Sequence, residues 1–570
     1  MPLRCLPCLT VAVCTAIAPS VAASPRDELL RLVPADVGFC LVIEDLRGHG
    51  TALLDSPFFK QFRVSATATK LIESPETKKL SQIDDFLKQK LNLTSTELRD
   101  EIIGDALVIA YRPGPPAKPE QEEGLFMLHA RNPKLLAELV DRLNALQRAS
   151  GDLERLAERR HANRPYFCRV ESKSENFYYL RGPLLAFSTR EGILKQLIDI
   201  DSQSSKDQSL SLARQLNLLD AGKPLATLWV NPRSFETALE HRLDESTGAQ
   251  AIALKKLLTY WKAIEGIAIT LSLEKEIELA VSVRARSERL PPATQHFLQT
   301  AAQRSDLWSS FPDHAMFAAA ARVDIGALVD ACSEFLADDA KAMVRMALEQ
   351  TVGAIVGTEV VHGLVNRLGP DFGFCAMAPP DTDKSFTPRM IAAVRLQSTG
   401  DGPSAELSLA NAVNSLATLL VFSQNGGRPG SLKLQATVQD NVEVKYLVDD
   451  DRFPPGFRPS FALKSGYALF GSSPEVIGEF RPPPRSPKPT VEVPLMRLSL
   501  QEIVKYLDRR RNQLIEYNAS RKQVSKEAAA QGLDNLVAVL KFFDRVEVFA
   551  RPGSDRATIA LRVHMSQPLK

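Results

Sequence analysis

Few residues of this 570-residue chain are spaced for chemistry. The densest carboxylate run is Asp449-Asp450-Asp451. Hard cations such as calcium take oxygen ligands, but three consecutive side chains cannot all aim at one ion. The run therefore reads as an exposed turn before Arg452-Phe453-Pro454-Pro455-Gly456. Asp371-Phe372-Gly373 spells a protein-kinase triplet, yet no His-Arg-Asp loop accompanies it. The eight histidines are scattered singly. His129 in a strand and His314 near a turn read as structural residues rather than ligands. Asn92-Leu93-Thr94 and Asn518-Ala519-Ser520 are glycosylation sequons by spelling only. No phosphate-cradling glycine loop, Gly-x-Ser-x-Gly elbow or His-Glu-x-x-His helix occurs. The sequence thus names no catalytic, cofactor-binding or metal-binding residue.

Charge points the same way. Seventy basic residues against 68 acidic leave a formal net charge of +2, which gives no global field for nucleic acid. The basic clusters Arg159-Arg160 and Arg509-Arg510-Arg511 have acidic neighbours and read as solvated helix faces.

Four of the seven cysteines, Cys40, Cys168, Cys332 and Cys375, lie beyond the first 23 residues. Four cysteines allow three full pairings. All four sit in apolar runs, where a cysteine behaves as a small core residue, so free and buried thiols are expected. The other three, with the Cys5-Leu6-Pro7-Cys8 spacing, fall in an N-terminal stretch with the layout of a secretory signal. Arg4 precedes an apolar run to Ala18, and Val21-Ala22-Ala23 offers small residues before a cut at Ser24. That run is too short for a comfortable membrane span, and no later segment is long and apolar enough. The expectation is an exported chain, periplasmic or extracellular, without a transmembrane segment once cut.

What must position any site is an internal repeat with a period near half the chain. Val33-Pro34-Ala35-Asp36 opens the strand Val37 to Ile43 and the step Glu44-Asp45-Leu46. Phe311-Pro312-Asp313-His314 opens a strand ending in Val323-Asp324-Ile325. A strand follows in each half, Gly104 to Tyr111 and Phe372 to Met377. Each runs into a proline-rich loop, 112–123 and 378–388, and exits into a strand, Leu125 to Ala130 and Met390 to Leu396. An amphipathic helix comes next. Asn132 caps one with Pro133 at its first position. In the other, Leu409, Val413, Leu416, Leu419 and Leu420 line one face. Hairpins turning at Gly182 and Gly466 follow, then short helices near Ile193 to Ile198 and Val476 to Phe480. A smaller unit ends each half in alternating strands: Ile277, Leu279, Val281 and Val283, then Ile559, Leu561 and Val563.

The fold class is therefore α+β, a tandem duplication with mostly antiparallel sheets flanked by helices. The boundaries are a signal at 1–23, large units at 24–200 and 305–480, and small units at 223–290 and 494–566. The opening strand, Ser56-Pro57-Phe58-Phe59 and Ile103-Gly104-Asp105-Ala106-Leu107 resemble an uncharacterised family of exported bacterial proteins defined by a domain of unknown function. The resemblance covers the two larger units. The second half departs from it at Pro312-Asp313-His314. It brings no activity and no site residues.

The functional expectation is a non-catalytic binding or interaction protein of the cell envelope, with an unknown protein or lipid as partner. The halves would face each other across a cleft with the proline-rich loops at its mouth. Alternatives are a hydrolase whose site has no motif, since sites are set by geometry rather than spelling, and a purely structural envelope component. N-terminal sequencing of the exported chain is expected to start at Ser24; full-length chain held in a membrane fraction would contradict the cut.

Overall fold

The computed structural model describes residues 24–65, 68–69, 74–172, 174–202, 212–219, 223–274, 276–348, 350, 368–383, 385–397, 405–426, 430–483 and 491–566. The predicted signal, 1–23, and most of the stretches 201–208 and 481–489 between the predicted large and small units lie outside the described residues. The first described element is the helix Pro25–Arg31, whose N-cap Ser24 accepts from the Asp27 amide at 3.1 Å. Leu29, Leu30 and Leu32 are buried against the sheet.

The strands of the first half are β1 (Phe39–Glu44), β2 (Ala106–Arg112), β3 (Glu123–His129), β4 (Leu153–His161), β5 (Arg164–Glu171), β6 (Ser174–Arg181), β7 (Leu184–Ser188), β8 (Ala226–Val230), β9 (Ile264–Leu273) and β10 (Glu276–Ala285). Those of the second are β11 (Phe317–Arg322), β12 (Leu368–Met377), β13 (Arg389–Leu396), β14 (Lys433–Gln439), β15 (Val442–Val448), β16 (Ser460–Lys464), β17 (Tyr467–Gly471), β18 (Val493–Ser499), β19 (Phe543–Pro552) and β20 (Arg556–Met565). Every described pairing is antiparallel, and all twenty strands form one sheet. The fold is α+β.

Pairing gives the order β4-β5-β6-β7-β3-β2-β1-β8-β9-β10 in the first half. The second runs β14-β15-β16-β17-β13-β12-β11-β18-β19-β20, the same order. The halves meet edge to edge through β10 and β20, with Ala280 opposite Ala560. They therefore lie side by side in one sheet and do not face each other across a cleft. The strands of each small unit continue the sheet directly, because β8 pairs with β1 and β18 with β11.

Several local expectations change. Arg159 and Arg160 lie on the edge strand β4, not on a helix; the β4–β5 hairpin turns at Ala162-Asn163, both with positive φ. Its counterpart β14–β15 turns at Asp440-Asn441 in the same way. Two central residues with φ > 0 match the right-handed strand twist, which selects such turns for tight hairpins. Arg509, Arg510 and Arg511 sit where two helices meet, Leu500–Arg509 and Arg511–Lys522, as expected for a helical cluster. Asp449 is not an exposed turn residue. It is buried, accepting from Ser431 Oγ at 2.7 Å and from the Asp451 and Arg452 amides at 3.2 Å. Burial works to raise its pKa, but these hydrogen bonds and the Arg452 charge outweigh it and hold it below the ordinary value.

The core lies in layers on both sheet faces. On one face the Pro25–Arg31 and Glu191–Ser202 helices cover Cys40, Val42, Val108, Met127 and Tyr179. The second half repeats this with Leu307, Trp308, Val476 and Ile477 over Ala318, Cys375 and Ala393. On the opposite face the helix Pro133–Ser150 covers Leu128 and Leu185, and the helix Ala405–Gln424 covers Phe461 and Ala468. Only the first part of that second stripe is buried. Leu409 and Val413 pack, while Leu416, Leu419 and Leu420 are exposed.

Cys40, Cys168 and Cys375 carry free, buried thiols. Cys332 is free but exposed, because the helix Ile325–Ser333 buries only Ala327 and turns its other faces outward. An aromatic disulfide reagent is therefore expected to titrate one thiol rapidly in the native protein and three more only in denaturant. Rapid labelling in a Cys332→Ser variant would contradict this assignment.

Candidate functional site

Successive side chains of a strand point to opposite faces, so register tells which residues share a surface. At the junction of the halves the two faces differ sharply. One carries Ile277, Leu279, Val281 and Val283 of β10 beside Ile559, Leu561 and Val563 of β20. The same face continues through Ile267, Ile269 and Leu271 of β9 and through Val546 and Val548 of β19. Outward it passes Leu228, Leu41 and Ile109 on one side, and Leu498, Phe317 and Phe374 on the other.

This apolar face is open. Leu279 is 45% exposed, Val281 39%, Ile559 57% and Leu561 38%. Ile109 and Phe374 are exposed at its flanks. This apolar face spans ten strands, β2 to β12 through the junction, or about 45 Å at the usual strand spacing; it is exposed at β10 and β20 and at both flanks, and half-buried on the strands between. Its floor is hydrocarbon apart from the Tyr111 ring at its edge, whose hydroxyl donates to Glu122 at 2.7 Å. Contiguous exposed apolar surface of this extent marks an interaction or ligand site.

Two helical arms run along the strand ends. One is Leu46–Asp55 and Pro57–Arg63, started by Asp45, which accepts from the Gly48 amide at 3.0 Å. It reaches over its own half, where a His49 ring nitrogen lies 3.0 Å from Leu273 O. It ends on the other half, with Phe58 and Phe62 packed on Phe542 and Phe58 also on Phe543. The other arm starts at Asp324, which accepts from the Ala327 amide at 2.8 Å. It crosses the other way: Phe335 stacks on Tyr260 at 5.3 Å and Glu334 lies 3.4 Å from Lys256. The acidic step before each arm was legible in the sequence. The open floor was not, because alternation says that a strand has an apolar face and not whether anything covers it.

The reverse face of the junction is polar. Glu278 takes hydrogen bonds from Arg551 at 2.9 Å and Arg562 at 2.8 Å, and Glu492 from the same two arginines at 2.9 and 3.0 Å. Both guanidiniums lie over the Phe549 ring, at 4.7 and 4.3 Å. Desolvation works to raise the pKa of Glu278 and of Glu492, but the arginine hydrogen bonds and charges prevail and hold both below the ordinary value. His564 stands 2.7 Å from both Glu276 and Glu547. These groups tie β10 of one half to β19 and β20 of the other.

The residues singled out in the sequence do not assemble into a reactive site. His129 lies 3.5 Å from Glu28 and 4.0 Å from Asp105. The corresponding place in the second half holds Arg395, 3.4 Å from Asp306 and 3.5 Å from Asp371. A base held between two carboxylates at the same point of both halves pins the N-terminal segment to the strand ends. Asp371 is buried in that cluster, accepting from the Asp306 amide at 3.1 Å. His314 is exposed and lines a cavity of about 510 Å3 with Met377, Ala378 and Pro380. Burial pushes the Cys40 and Cys375 thiols up to about 12, which leaves no thiolate nucleophile there near neutral pH. Among the described residues no group of three or more His, Cys, Asp or Glu is placed to hold a metal ion, and no helix is long and apolar enough to cross a membrane.

No protein-family model matches the chain, and no curated protein matches it. Among solved structures, crystal form III of TP0453 aligns with a TM-score of 0.20 and 9% identity, over 48% of this chain and 84% of that one. A likeness that weak carries no argument about fold or function.

The ion lattice has a pH signature. Because Glu278 and Glu492 are held below their unfolded values, their contribution is present above about pH 4.3. It is lost as pH falls through the depressed folded values. Glu278→Gln is expected to cost about 1–3 kcal/mol at pH 7. In urea unfolding, the gap between variant and parent should narrow steadily on acidification below pH 4; a gap independent of pH would refute the lattice.

Proposed function

We propose that the protein is an exported, non-catalytic binding protein of the bacterial cell envelope that holds lipid acyl chains on the open apolar face of its sheet. The observation that carries this is the exposure of Leu279, Val281, Ile559 and Leu561 on a hydrocarbon floor bounded by two helical arms. A peptide laid on such a floor would bury amide groups without partners, at a cost of several kcal/mol each in the worst case. An acyl chain has no such groups, and its transfer from water gains about 0.8 kcal/mol per buried CH2. The strand ladders of the floor are already paired, so no added strand can bond to its face.

Export is supported by the predicted cut before Ser24, which leaves that residue as the cap of the first helix. Tandem duplication is supported by the equal strand orders and by the matching opposition of Ala280 and Ala560. Both support kinship with the exported family that the opening motifs resemble. Binding is favoured over hydrolysis because His129 is held between Glu28 and Asp105 and the buried Cys40 and Cys375 thiols are held protonated.

The test is native mass spectrometry of the exported chain for co-purifying lipid, with cis-parinaric acid fluorescence as the binding assay. Leu279→Glu/Ile559→Glu changes two exposed residues, so stability should stay close to that of the parent, while parinarate affinity falls at least tenfold. Equal binding by the variant would overturn the proposal. So would a dimer of the parent that the variant dissolves, since the face would then be covered by a second copy.

A further inference from the structure

The opposite face of the sheet holds a second feature, independent of the acyl-chain reading. A cavity of about 510 Å3 opens where β8, β9 and β10 meet the helix Leu212–Leu218. Ligand pockets commonly have this size. Arg214, Arg233, Arg284 and Arg286 line it against one carboxylate, Glu265. That carboxylate is shared: it pairs with Arg284 at 3.2 Å and also with Arg286. Arg284 reaches Asp555 as well, at 2.8 Å, and Arg233 is held by Glu236 and the Trp261 carbonyl. The rest of the wall is Leu218, Leu219, Trp229 and Gly266, with the Gln215 amide beside them.

Trp229 is the second, separate observation. It is 2% exposed, and its indole N–H has no acceptor among the described residues. The other two tryptophans are satisfied, Trp261 by Pro232 O at 2.8 Å and Trp308 by Pro494 O at 2.8 Å. A buried donor without a partner is rare. Gly266 stands before it: a Cβ there would lie 3.5 Å from the indole nitrogen and 3.5 Å from Leu219 Cδ1. Glycine weakens the interior of a strand and often marks a place where a ligand or another backbone comes close. Gly266 does not have the positive φ that would demand glycine.

The second half shows that the fold does not require this arrangement. Opposite Cys40 in the first half stands Trp229; opposite Ala318 in the second stands Arg497. Arg497 is tied to Asp313 at 3.0 Å and Pro312 O at 2.9 Å. Arg284 has its counterpart in His564, across the same junction. The cavity adjoins a larger one of about 1160 Å3 that shares Arg233 and Glu265 and is bounded by Arg112, Pro113 and Pro115 of the proline-rich loop. This gives a route in from solvent.

We infer that this pocket binds a small organic carboxylate with an apolar body, its carboxylate meeting Arg284, Arg286 and the Trp229 indole N–H and its body lying against Leu218 and Leu219. Arginine forks match a carboxylate geometrically, and the ligand supplies the acceptor that the indole lacks. The probe is benzoate, with benzyl alcohol as the neutral analogue and inorganic phosphate as an anion without an apolar body. In 15N NMR of the full mature chain, three indole N–H signals are expected, and benzoate should move one of them downfield. That signal should be missing in Trp229→Phe. Gly266→Ala, which fills the space before the indole, and Arg286→Gln should each weaken benzoate at least tenfold with an unchanged melting temperature. Benzyl alcohol and phosphate should bind at least tenfold more weakly than benzoate. The inference is overturned if no indole signal moves, if benzyl alcohol or phosphate matches benzoate, or if Leu279→Glu/Ile559→Glu abolishes benzoate binding while Gly266→Ala leaves it intact. The last result would place benzoate in the acyl-chain groove.

Discussion

Everything else in the molecule depends on the antiparallel contact between β10 and β20. Residues 276 to 284 of one half pair with 564 to 556 of the other, so that each position meets the counterpart of its mirror position about Ala280 and Ala560. A strand edge is a row of unpaired donors and acceptors that invites another chain. Here the two inner edges satisfy each other. Small residues make the centre close: Ala280 and Ala560 are nearly inaccessible, and Ser282 Oγ lies 2.8 Å from Thr558 Oγ1. The arginine–glutamate lattice around Phe549 then locks the register on the polar side, because a slip of one residue would put Glu278 and Arg562 on opposite faces.

That contact also explains why an apolar face is left open. In each half the helices cover the outer strands on one side, β3 and β7 or β13 and β17. The strands β8 to β10 and β18 to β20 lie beyond their reach. The helices that follow β8 and β18 pack near strand ends. Trp261 donates to Pro232 O, and Gln501 bonds to Phe543 O and Ser566, so they close the ends rather than the centre. The arms Leu46–Asp55 and Ile325–Ser333 have almost nothing buried and likewise run along the ends. Joining two such halves brings two open apolar patches into one surface, with the junction in its middle.

Much of this order was legible in the sequence where local chemistry is strict. Asn132 caps a helix as its type suggests, the acidic step at Asp324 opens another, and Gly466 turns a hairpin at φ 76°. The alternating strands β10 and β20 were legible as strands, and each pairs with the strand just before it. The hairpins β4–β5 and β14–β15 escaped notice, because charged residues break up the apolar pattern of β4 and β14 is largely exposed, leaving Ala162-Asn163 and Asp440-Asn441 as their main local signals. Cys332 and Leu416 looked buried because an apolar run says what a helix could bury and not whether a neighbour is there. The site escaped for a related reason. Trp229, Gly266, Arg284 and Glu265 belong to three strands, and no spacing along the chain brings them together.

The outer edges complete the argument from the inner ones. β4 carries Glu154, Arg155, Glu158, Arg159 and Arg160, the kind of charged edge that keeps other strands away. β14 carries Lys433 at one end and two glutamines, with Leu434 and Val438 exposed. β10 alone would be a ten-residue edge with Leu279 and Val281 on an open face, and with fewer charges than β4. A single half would therefore present both an uncovered apolar floor and an unpaired edge beside it. Pairing β10 with β20 removes the edge while preserving the floor. In this reading the two halves are held on one chain because the surface that binds can stay exposed only when the edge next to it is closed.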